Sequence, residues 1–371
     1  MKLIATFGDF LPLLLAAFVA AALLSLILTP LVRRVAISLD NIDRPDARRV
    51  NAAPVPRGGG VAVAIAFLVV AVGGIAINSQ TGAVPVPLSL QPSELFALLA
   101  GGGVATVLGV LDDTFQLRAR WQLLGQLALA AFAVAAGIVI NDLNNPFGPG
   151  QIELGGMYAV GFSMLWIVGM INSINFIDGL DGLSSGIALI AAATLGLISL
   201  TTAVGQPFIG ILCFALAGSL LGFLRWNFHP ASIFIGTSGV MFVGYTLAVL
   251  SILGTAKVAV ALLVLGVPIL DTFWIIVRRL AAGRSPFTPD RGHIHHRLLD
   301  MGLSHSQTVL VIYAICLALA VLSLVLSGSG QVAAFLGLAV LFGFGLFLLT
   351  RGDSGEALEA ETYEEPAPPK E

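Results

Sequence analysis

The sequence predicts an all-α polytopic membrane protein, and three observations support this fold class. Hydrophobic residues make up 57% of the 371 residues and charged residues only 11%, whereas soluble domains carry roughly 25% charged residues. The apolar residues form long runs, of the roughly 20 residues that a helix needs to cross a bilayer. Lysines and arginines are concentrated in every second connection between these runs, as expected for a chain that crosses a membrane repeatedly.

We expect about eleven spans from the positions of the apolar runs. One basic residue precedes the first run, and Arg33 and Arg34 follow it. With the length of the run, this pattern indicates a membrane span rather than a cleaved signal peptide. The predicted spans cover residues 10–32, 58–77, 95–111, 121–140, 158–177, 183–203, 207–224, 231–250, 258–281, 306–327 and 330–350.

The basic residues also orient the chain. Of the 18 lysines and arginines, 16 lie after odd-numbered spans or in the C-terminal tail, and only Lys2 and Lys257 lie on the opposite side. Because Lys and Arg are enriched on the cytoplasmic side, we expect the N-terminus outside and the C-terminus in the cytoplasm. Residues 1–352 then form the membrane domain, and the acidic residues 353–371 form a disordered cytoplasmic tail.

The densest polar cluster is Asn172–Gly182, between two apolar runs. Its amides and carboxylates fall three residues apart, at Asn172, Asn175, Asp178 and Asp181. Polar side chains beside hydrocarbon are costly unless they are paired or hydrated, so we interpret this cluster as part of an active site. The alternative is a polar turn in which glycines break the helix.

Two more clusters precede it in the chain. Arg57 stands before Gly58 and Gly59 at the entrance of the second span, where a glycine turn and a helix N-terminus favour an anion such as phosphate. The alternative is an orientation signal followed by a turn. Asp112 and Asp113 are adjacent at the end of the third span, and Mg²⁺ would relieve their repulsion while binding substrate phosphates. Here the alternative is an exposed helix end paired with an arginine.

The fourth cluster follows the ninth span and contains His293, His295, His296 and Arg297. Histidines at this density suit a zinc site, but no cysteine is near and arginines flank them, so we favour phosphate recognition or proton transfer. Asp271 is an isolated acid within the ninth span, and it is either a structural hydrogen-bond partner or part of the site. Together, the four clusters indicate chemistry on a polyphosphate by positioning and electrostatic stabilisation.

These motifs, in this order, resemble those of the polyprenyl-phosphate N-acetylhexosamine-1-phosphate transferases, membrane enzymes of glycosyltransferase family 4. The resemblance covers about residues 10–350, and Asn172–Leu183 is its most specific string. The other matching segments are Pro56–Gly60, Leu111–Asp113, Trp226–Ala231, Phe234–Gly236 and His293–Leu298. The His-x-His-His-Arg form and eleven spans are similar to the branch that uses UDP-N-acetylglucosamine.

The resemblance implies transfer of N-acetylglucosamine-1-phosphate from UDP-N-acetylglucosamine to undecaprenyl or decaprenyl phosphate, with release of UMP. It implies Mg²⁺ as cofactor. We also expect Mn²⁺ as a substitute, no nucleic acid partner, a homodimer as a candidate assembly, and a site on the cytoplasmic face of a bacterial inner membrane. The implied catalytic residues are Asp112, Asp113, Asp178, Asp181 and His295, with Asp113 and Asp178 at the metal. The expected substrate-binding residues, from the polar clusters and the resemblance together, are Arg57, Gly58, Gly59, Asn172, Asn175, His293, His296 and Arg297.

Two positions depart from the family pattern. Thr237 stands where relatives carry a metal-binding Asp in Gly-Asp-x-Gly-Ser, and Asn51 stands where many relatives have His. A hydroxyl is a poor substitute for an anionic ligand, so either another carboxylate takes over the metal or the metal site is weaker. The alternatives are an enzyme of the muramoyl-pentapeptide type, an inactive polyprenyl-phosphate-binding relative, and a transporter, which the one-sided charge disfavours.

Overall fold

The protein is a bundle of α-helices with two small antiparallel ribbons. The computed structural model describes residues 7–44, 54–145, 150–201, 204–254, 257–281, 283, 292–326 and 328–353. The helices are α1 (Phe7–Ser38), α2 (Gly60–Thr81), α3 (Pro92–Phe115), α4 (Ala119–Ala135), α5 (Gly156–Ile177), α6 (Leu183–Ser199), α7 (Pro207–Asn227), α8 (Gly236–Leu253), α9 (Lys257–Val264), α10 (Gly266–Ala281), α11 (Ile294–Asp300), α12 (His305–Val325) and α13 (Ser329–Asp353). The ribbons pair β1 (Ile42–Asp43) with β2 (Val55–Pro56) and β3 (Asp142–Asn144) with β4 (Gln151–Glu153).

The predicted all-α, polytopic class is confirmed. In the described chain, the helices α1, α2, α3, α5, α7, α8 and α12 are long and apolar enough to cross a membrane, and α9 with α10 forms an eighth candidate. The helices α4, α6 and α13 coincide with the remaining predicted spans. The count of eleven crossings and the orientation of the termini stay predictions. Asn51 and residues 354–371 of the predicted tail lie outside the described residues.

The ninth predicted span is two helices rather than one. The helices α9 and α10 meet at an angle of 77°, and α9 ends at Val264, four residues before Pro268. A proline ring clashes with the carbonyl four residues earlier and offers no N–H to it, which breaks a helix at this spacing. The second half, α10, packs against α5 and brings Asp271 to the inside of the bundle.

Glycines set the closest helix contacts in the bundle. A Cβ on Gly60 would overlap the backbone of Gly239, and a Cβ on Gly109 would overlap the backbone of Ser238. Because no side chain fits there, α2 and α3 touch the start of α8 backbone to backbone. This packing holds the end of α3, which carries Asp113, against the first turn of α8.

We expect Gly109→Ala to lower the stability of the protein by about 2 kcal/mol or more, because the added methyl group would force α3 away from α8. Gly103→Ala is the matched control, since a Cβ at Gly103 of the same helix has no atom within 4 Å. That change should leave stability unchanged or raise it by up to about 1 kcal/mol, the helix preference of Ala over Gly. Thermal unfolding of both variants in detergent measures the difference. Equal effects of the two changes would contradict the packing role of Gly109.

Candidate active site

A cavity of about 610 Å³ lies where the ends of α3, α5 and α7 meet the starts of α8 and α12. All four polar clusters of the sequence contribute to its wall. The predicted site residues in this lining are Arg57, Asp113, Asn175, Asp178, Asp181 and His296. The structure therefore brings together side chains from four clusters that are widely separated in the sequence.

Asp113 joins the end of α3 to the start of α8. The backbone N–H of Thr237 donates to Asp113 Oδ1 over 2.8 Å, and that of Ser238 donates to Oδ2 over 3.0 Å. The first N–H groups of a helix have no partner within the helix, and a negative charge is favourable at this end. A carboxylate has about four acceptor positions, so Asp113 keeps acceptor capacity for a cation while it holds α8.

Asp178 follows the last turn of α5 and is half-buried in the cavity wall. Its Oδ1 accepts a hydrogen bond from Ser184 Oγ over 2.5 Å. Burial raises the pKa of Asp178 from its ordinary 3.8 to about 6; the Ser184 hydrogen bond and Arg57 oppose this, while the charges of Asp113 and Asp181 add to it. The carboxylates of the cavity therefore repel one another, and a bound cation would relieve that repulsion.

Asp181 is held by two histidines. His229 Nδ1 lies 2.7 Å from Asp181 Oδ2, which also accepts from the N–H of Ala231 over 3.0 Å. The backbone N–H of Asp181 donates to His305 Nε2 over 2.8 Å, so that ring nitrogen acts as an acceptor and carries no proton. The two rings stack with centroids 4.1 Å apart. Asp181, His229 and His305 are close enough to share a metal ion, but nitrogen ligands suit transition metals better than Mg²⁺.

Arg57 is the member of its cluster that reaches the cavity, and it forms an ion pair with Asp43 in the same wall. The glycines after it serve helix contact. The N–H of Gly59 donates to the carbonyl of Phe234 over 2.9 Å, so this amide is not available to an anion. The same amide joins the entrance of α2 to the segment before α8, and the predicted substrate-binding role of Gly59 stays a prediction. Gly58, with a φ of +95°, turns the chain there and lies outside the described lining.

Asp112 and Asn172 are not brought to the cavity formed by the described residues. Asp112 Oδ1 accepts from Gln122 Nε2 over 2.7 Å, and Asn172 Nδ2 donates to Gln126 Oε1 over 2.6 Å. Both glutamines belong to α4, so these two side chains attach α4 to α3 and α5. Their predicted roles, in catalysis for Asp112 and in substrate binding for Asn172, have no support from their positions.

The histidine cluster consists of His293, His295 and His296. Of these three residues, only His296 lines the cavity. His295 is 1% exposed and lies behind the wall, where a Cβ on Gly179 would overlap its ring. Burial, and to a lesser degree its histidine neighbours, lowers the pKa of His295 well below its ordinary value, so the ring is neutral near pH 7. The catalytic role of His295 and the substrate contacts of His293 and Arg297, which also lie outside the described lining, stay predictions.

Comparison with known proteins identifies the family of this site. The sequence model of glycosyl transferase family 4 matches residues 95–255. The chain is 37% identical over 322 residues to the probable undecaprenyl-phosphate N-acetylglucosaminyl 1-phosphate transferase of Bacillus subtilis. The aligned residues make up 85% of this chain and 86% of the relative. The chain belongs to glycosyl transferase family 4. The family resemblance inferred from the motifs is thus confirmed.

Two further relatives of this family 4 chain are more distant. The decaprenyl-phosphate N-acetylglucosaminephosphotransferase of Mycobacterium leprae is 34% identical over 79% of this chain and 78% of its own length. The undecaprenyl-phosphate alpha-N-acetylglucosaminyl 1-phosphate transferase of Yersinia pestis is 27% identical over 79% of both chains. The similarity therefore extends well beyond the residues that match the family model.

The family 4 site also contains residues that the sequence analysis missed. His305 lies 124 positions from its partner Asp181, and no motif connected the two. His229 lies within the matching segment Trp226–Ala231, and this place in a family motif was a usable signal of a role in the site. Asp43 lies between the first and second predicted spans, and nothing in the sequence indicated that it pairs with Arg57.

The raised pKa of Asp178 predicts a stability effect of defined sign. An acid whose pKa is higher in the folded protein than in the unfolded chain favours folding at low pH, and this contribution is lost as pH rises through about 6. The shift corresponds to about 3 kcal/mol. We therefore expect Asp178→Asn, measured without divalent cations, to raise the unfolding temperature at about pH 7.5 and to give no such gain near pH 4.

The control for this comparison is Asp142→Asn, an exposed carboxylate on β3, which should change the unfolding temperature at neither pH. Thermal unfolding in detergent, followed by intrinsic fluorescence, measures both variants. An Asp178→Asn variant that is less stable than the wild type at both pH values would show that burial of the Asp178 charge is not the dominant effect.

Proposed function

We propose that this family 4 enzyme transfers N-acetylglucosamine-1-phosphate from UDP-N-acetylglucosamine to undecaprenyl or decaprenyl phosphate. UMP leaves, and the lipid-linked diphospho-sugar that starts cell-envelope glycan synthesis is formed. The observation that carries this proposal is the cavity whose wall combines Arg57, Asp113, Asp178 and His296. The relatives are named as undecaprenyl-phosphate and decaprenyl-phosphate N-acetylglucosamine-phosphate transferases, and this supports the same reaction.

We place the site on the cytoplasmic face of a bacterial inner membrane. The support for this is the distribution of Lys and Arg, which lie almost entirely on the side of the four clusters. A UDP-sugar is a soluble, cytoplasmic type of substrate, whereas a polyprenyl phosphate is confined to the bilayer, so the reaction requires a cavity at their boundary. A homodimer stays a prediction.

Mg²⁺, with Mn²⁺ as a substitute, is the cofactor that we assign to the cavity. Carboxylate and amide oxygens of Asp113, Asp178 and Asn175 line one cavity, and oxygen donors are the ligands that Mg²⁺ prefers. Thr237 lines the same cavity, and its N–H donates to Asp113. Asp113 thus stands beside the position where the family pattern has its metal-binding Asp, and we assign it that function. When bound, Mg²⁺ would neutralise charge on the diphosphate.

The chain's own groups position the two substrates. Arg57, held by Asp43, and His296 are suited to the diphosphate oxygens of the UDP-sugar. An oxygen of the polyprenyl phosphate attacks the phosphorus next to the sugar, and the bond from that phosphorus to the UMP oxygen breaks. Because the second pKa of a phosphate monoester is about 6, the acceptor is largely ionised at neutral pH and needs orientation more than deprotonation. Asp112 then contributes indirectly, by anchoring α4 through Gln122.

Direct assay of the purified protein tests the proposal. With labelled UDP-N-acetylglucosamine, undecaprenyl phosphate and Mg²⁺, we expect lipid-linked label and an equal amount of UMP, both abolished by a chelator. UDP-N-acetylgalactosamine and UDP-muramoyl-pentapeptide should each release UMP more slowly. UMP release with the pentapeptide donor alone would favour the muramoyl-type alternative. Folded protein that releases no UMP with any donor would favour an inactive polyprenyl-phosphate-binding relative.

Asp113 and Asp112 form a matched pair for a second test. Asp113→Asn removes the charge assigned to the metal and should lower kcat about 100-fold or more. Asp112→Asn changes the adjacent carboxylate, which binds Gln122 instead of lining the cavity, and should have a much smaller effect on kcat per folded molecule. The measurement is UMP release at saturating Mg²⁺, normalised to folded protein. A larger loss in Asp112→Asn than in Asp113→Asn would reverse the two assignments.

A further inference from the structure

Asp271 is a buried acid that does not line the catalytic cavity. It lies in α10 and is 0% exposed, and a buried carboxylate is costly unless it is hydrogen-bonded or paired. Its partners come from the start of α11. Asp271 Oδ2 lies 2.7 Å from His293 Nδ1, and Oδ1 accepts from the backbone N–H of Ile294 over 2.8 Å.

These two contacts fix both the backbone and the ring at the start of α11. A carboxylate oxygen accepts hydrogen bonds, so His293 donates to Asp271 through Nδ1. Phe176 meets the same ring edge to face, with centroids 6.0 Å apart. His293 is thus confined by α10 on one side and by the end of α5 on the other.

A continuous series of contacts joins His293 to the cavity wall. Its ring stacks on His295 with centroids 5.4 Å apart and an interplanar angle of 13°. The ring centroids of His295 and His296 lie 4.4 Å apart, and His295 packs behind Gly179. Since packed interiors contain few voids, a rotation of the His293 ring would displace His295 and, with it, His296 in the cavity wall.

A second contact from α10 secures the same segment. The guanidinium of Arg278 lies so close to Gly292 that a Cβ there would overlap it. Arg278 is seven residues, or two helical turns, beyond Asp271, so both side chains project from one face of α10. The helix therefore contacts residues 292–294 at two points, and the bend at Pro268 sets the direction from which it does so.

We infer that Asp271 is a positioning residue for the histidine cluster: through His293 it holds α11 in the orientation that places His296 in the cavity. The inference rests on the proposed function of that cavity. It also assigns a purpose to a carboxylate inside the bundle, because an amide in its place would have only one acceptor oxygen for the two hydrogen bonds from His293 and Ile294.

Three variants test this role through UMP release. Asp271→Asn keeps the shape but presents an amide to His293, and we expect kcat to fall about tenfold or more per folded molecule. Thr272→Val is the matched control, because Thr272 Oγ1 is buried without a hydrogen bond among the described residues, and its kcat should be unchanged. In a His293→Ala background, Asp271→Asn should cause no further loss. Additive losses in the double variant, or an unchanged kcat in Asp271→Asn, would overturn the inference.

Hydrogen exchange provides a readout that does not depend on activity. In Asp271→Ala, amides of residues 292–300 should exchange faster than in the wild type because Ile294 loses its acceptor, whereas the exchange of α3 should not change. Thr272→Val should match the wild type throughout. Unchanged exchange in a folded Asp271→Ala protein would overturn the inference. A wild type that releases no UMP would instead overturn the proposed function, and the exchange result would still decide the role of Asp271.

Discussion

Carboxylates inside the helix bundle need partners, and this requirement organises the candidate active site. Asp113, Asp181 and Asp271 each accept hydrogen bonds from a distant part of the sequence, so each joins two structural elements. Asp113 holds the start of α8, Asp181 holds the loop after α7 through His229 and Ala231, and Asp271 holds α11. The same groups that make the cavity acidic therefore determine its shape. A cation bound among them would neutralise negative charge, but the positions of these side chains are already fixed by their hydrogen bonds.

The glycine contacts make this arrangement possible. Asp113 reaches the first turn of α8 because Gly109, one turn earlier on α3, lets the two backbones touch. Gly59 plays a related role in the segment before α8, where its N–H bonds the carbonyl of Phe234. The glycines near Arg57 and Asp113 thus fix the positions of these two side chains through backbone contacts. The loop of Asp178 and Asp181 is likewise clamped from α12, where Tyr313 donates from its hydroxyl to the carbonyl of Gly182.

The sequence could not distinguish residues that are close together in the chain but have different positions in the structure. The sequence identified the Asp112–Asp113 pair but could not say which carboxylate enters the cavity, because consecutive side chains on a helix point about 100° apart. It likewise treated Asn172 and Asn175 as equivalent, whereas α4 takes up the first through Gln126. The ninth span was drawn as one helix, although Pro268 was present in the sequence and breaks it. His305 could not be found at all, since its contact with Asp181 spans 124 positions.

Composition and residue order alone determined the membrane class, the helical architecture, the four polar clusters and the family. These features follow from local properties: hydrophobic run length, the placement of basic residues and short motifs. Only the tertiary structure decided which members of each cluster line the cavity, which of them form hydrogen bonds between helices, and what the buried Asp271 contacts. Those outcomes depend on how helices rotate and pack against one another, and that information is distributed over residues far apart in the chain.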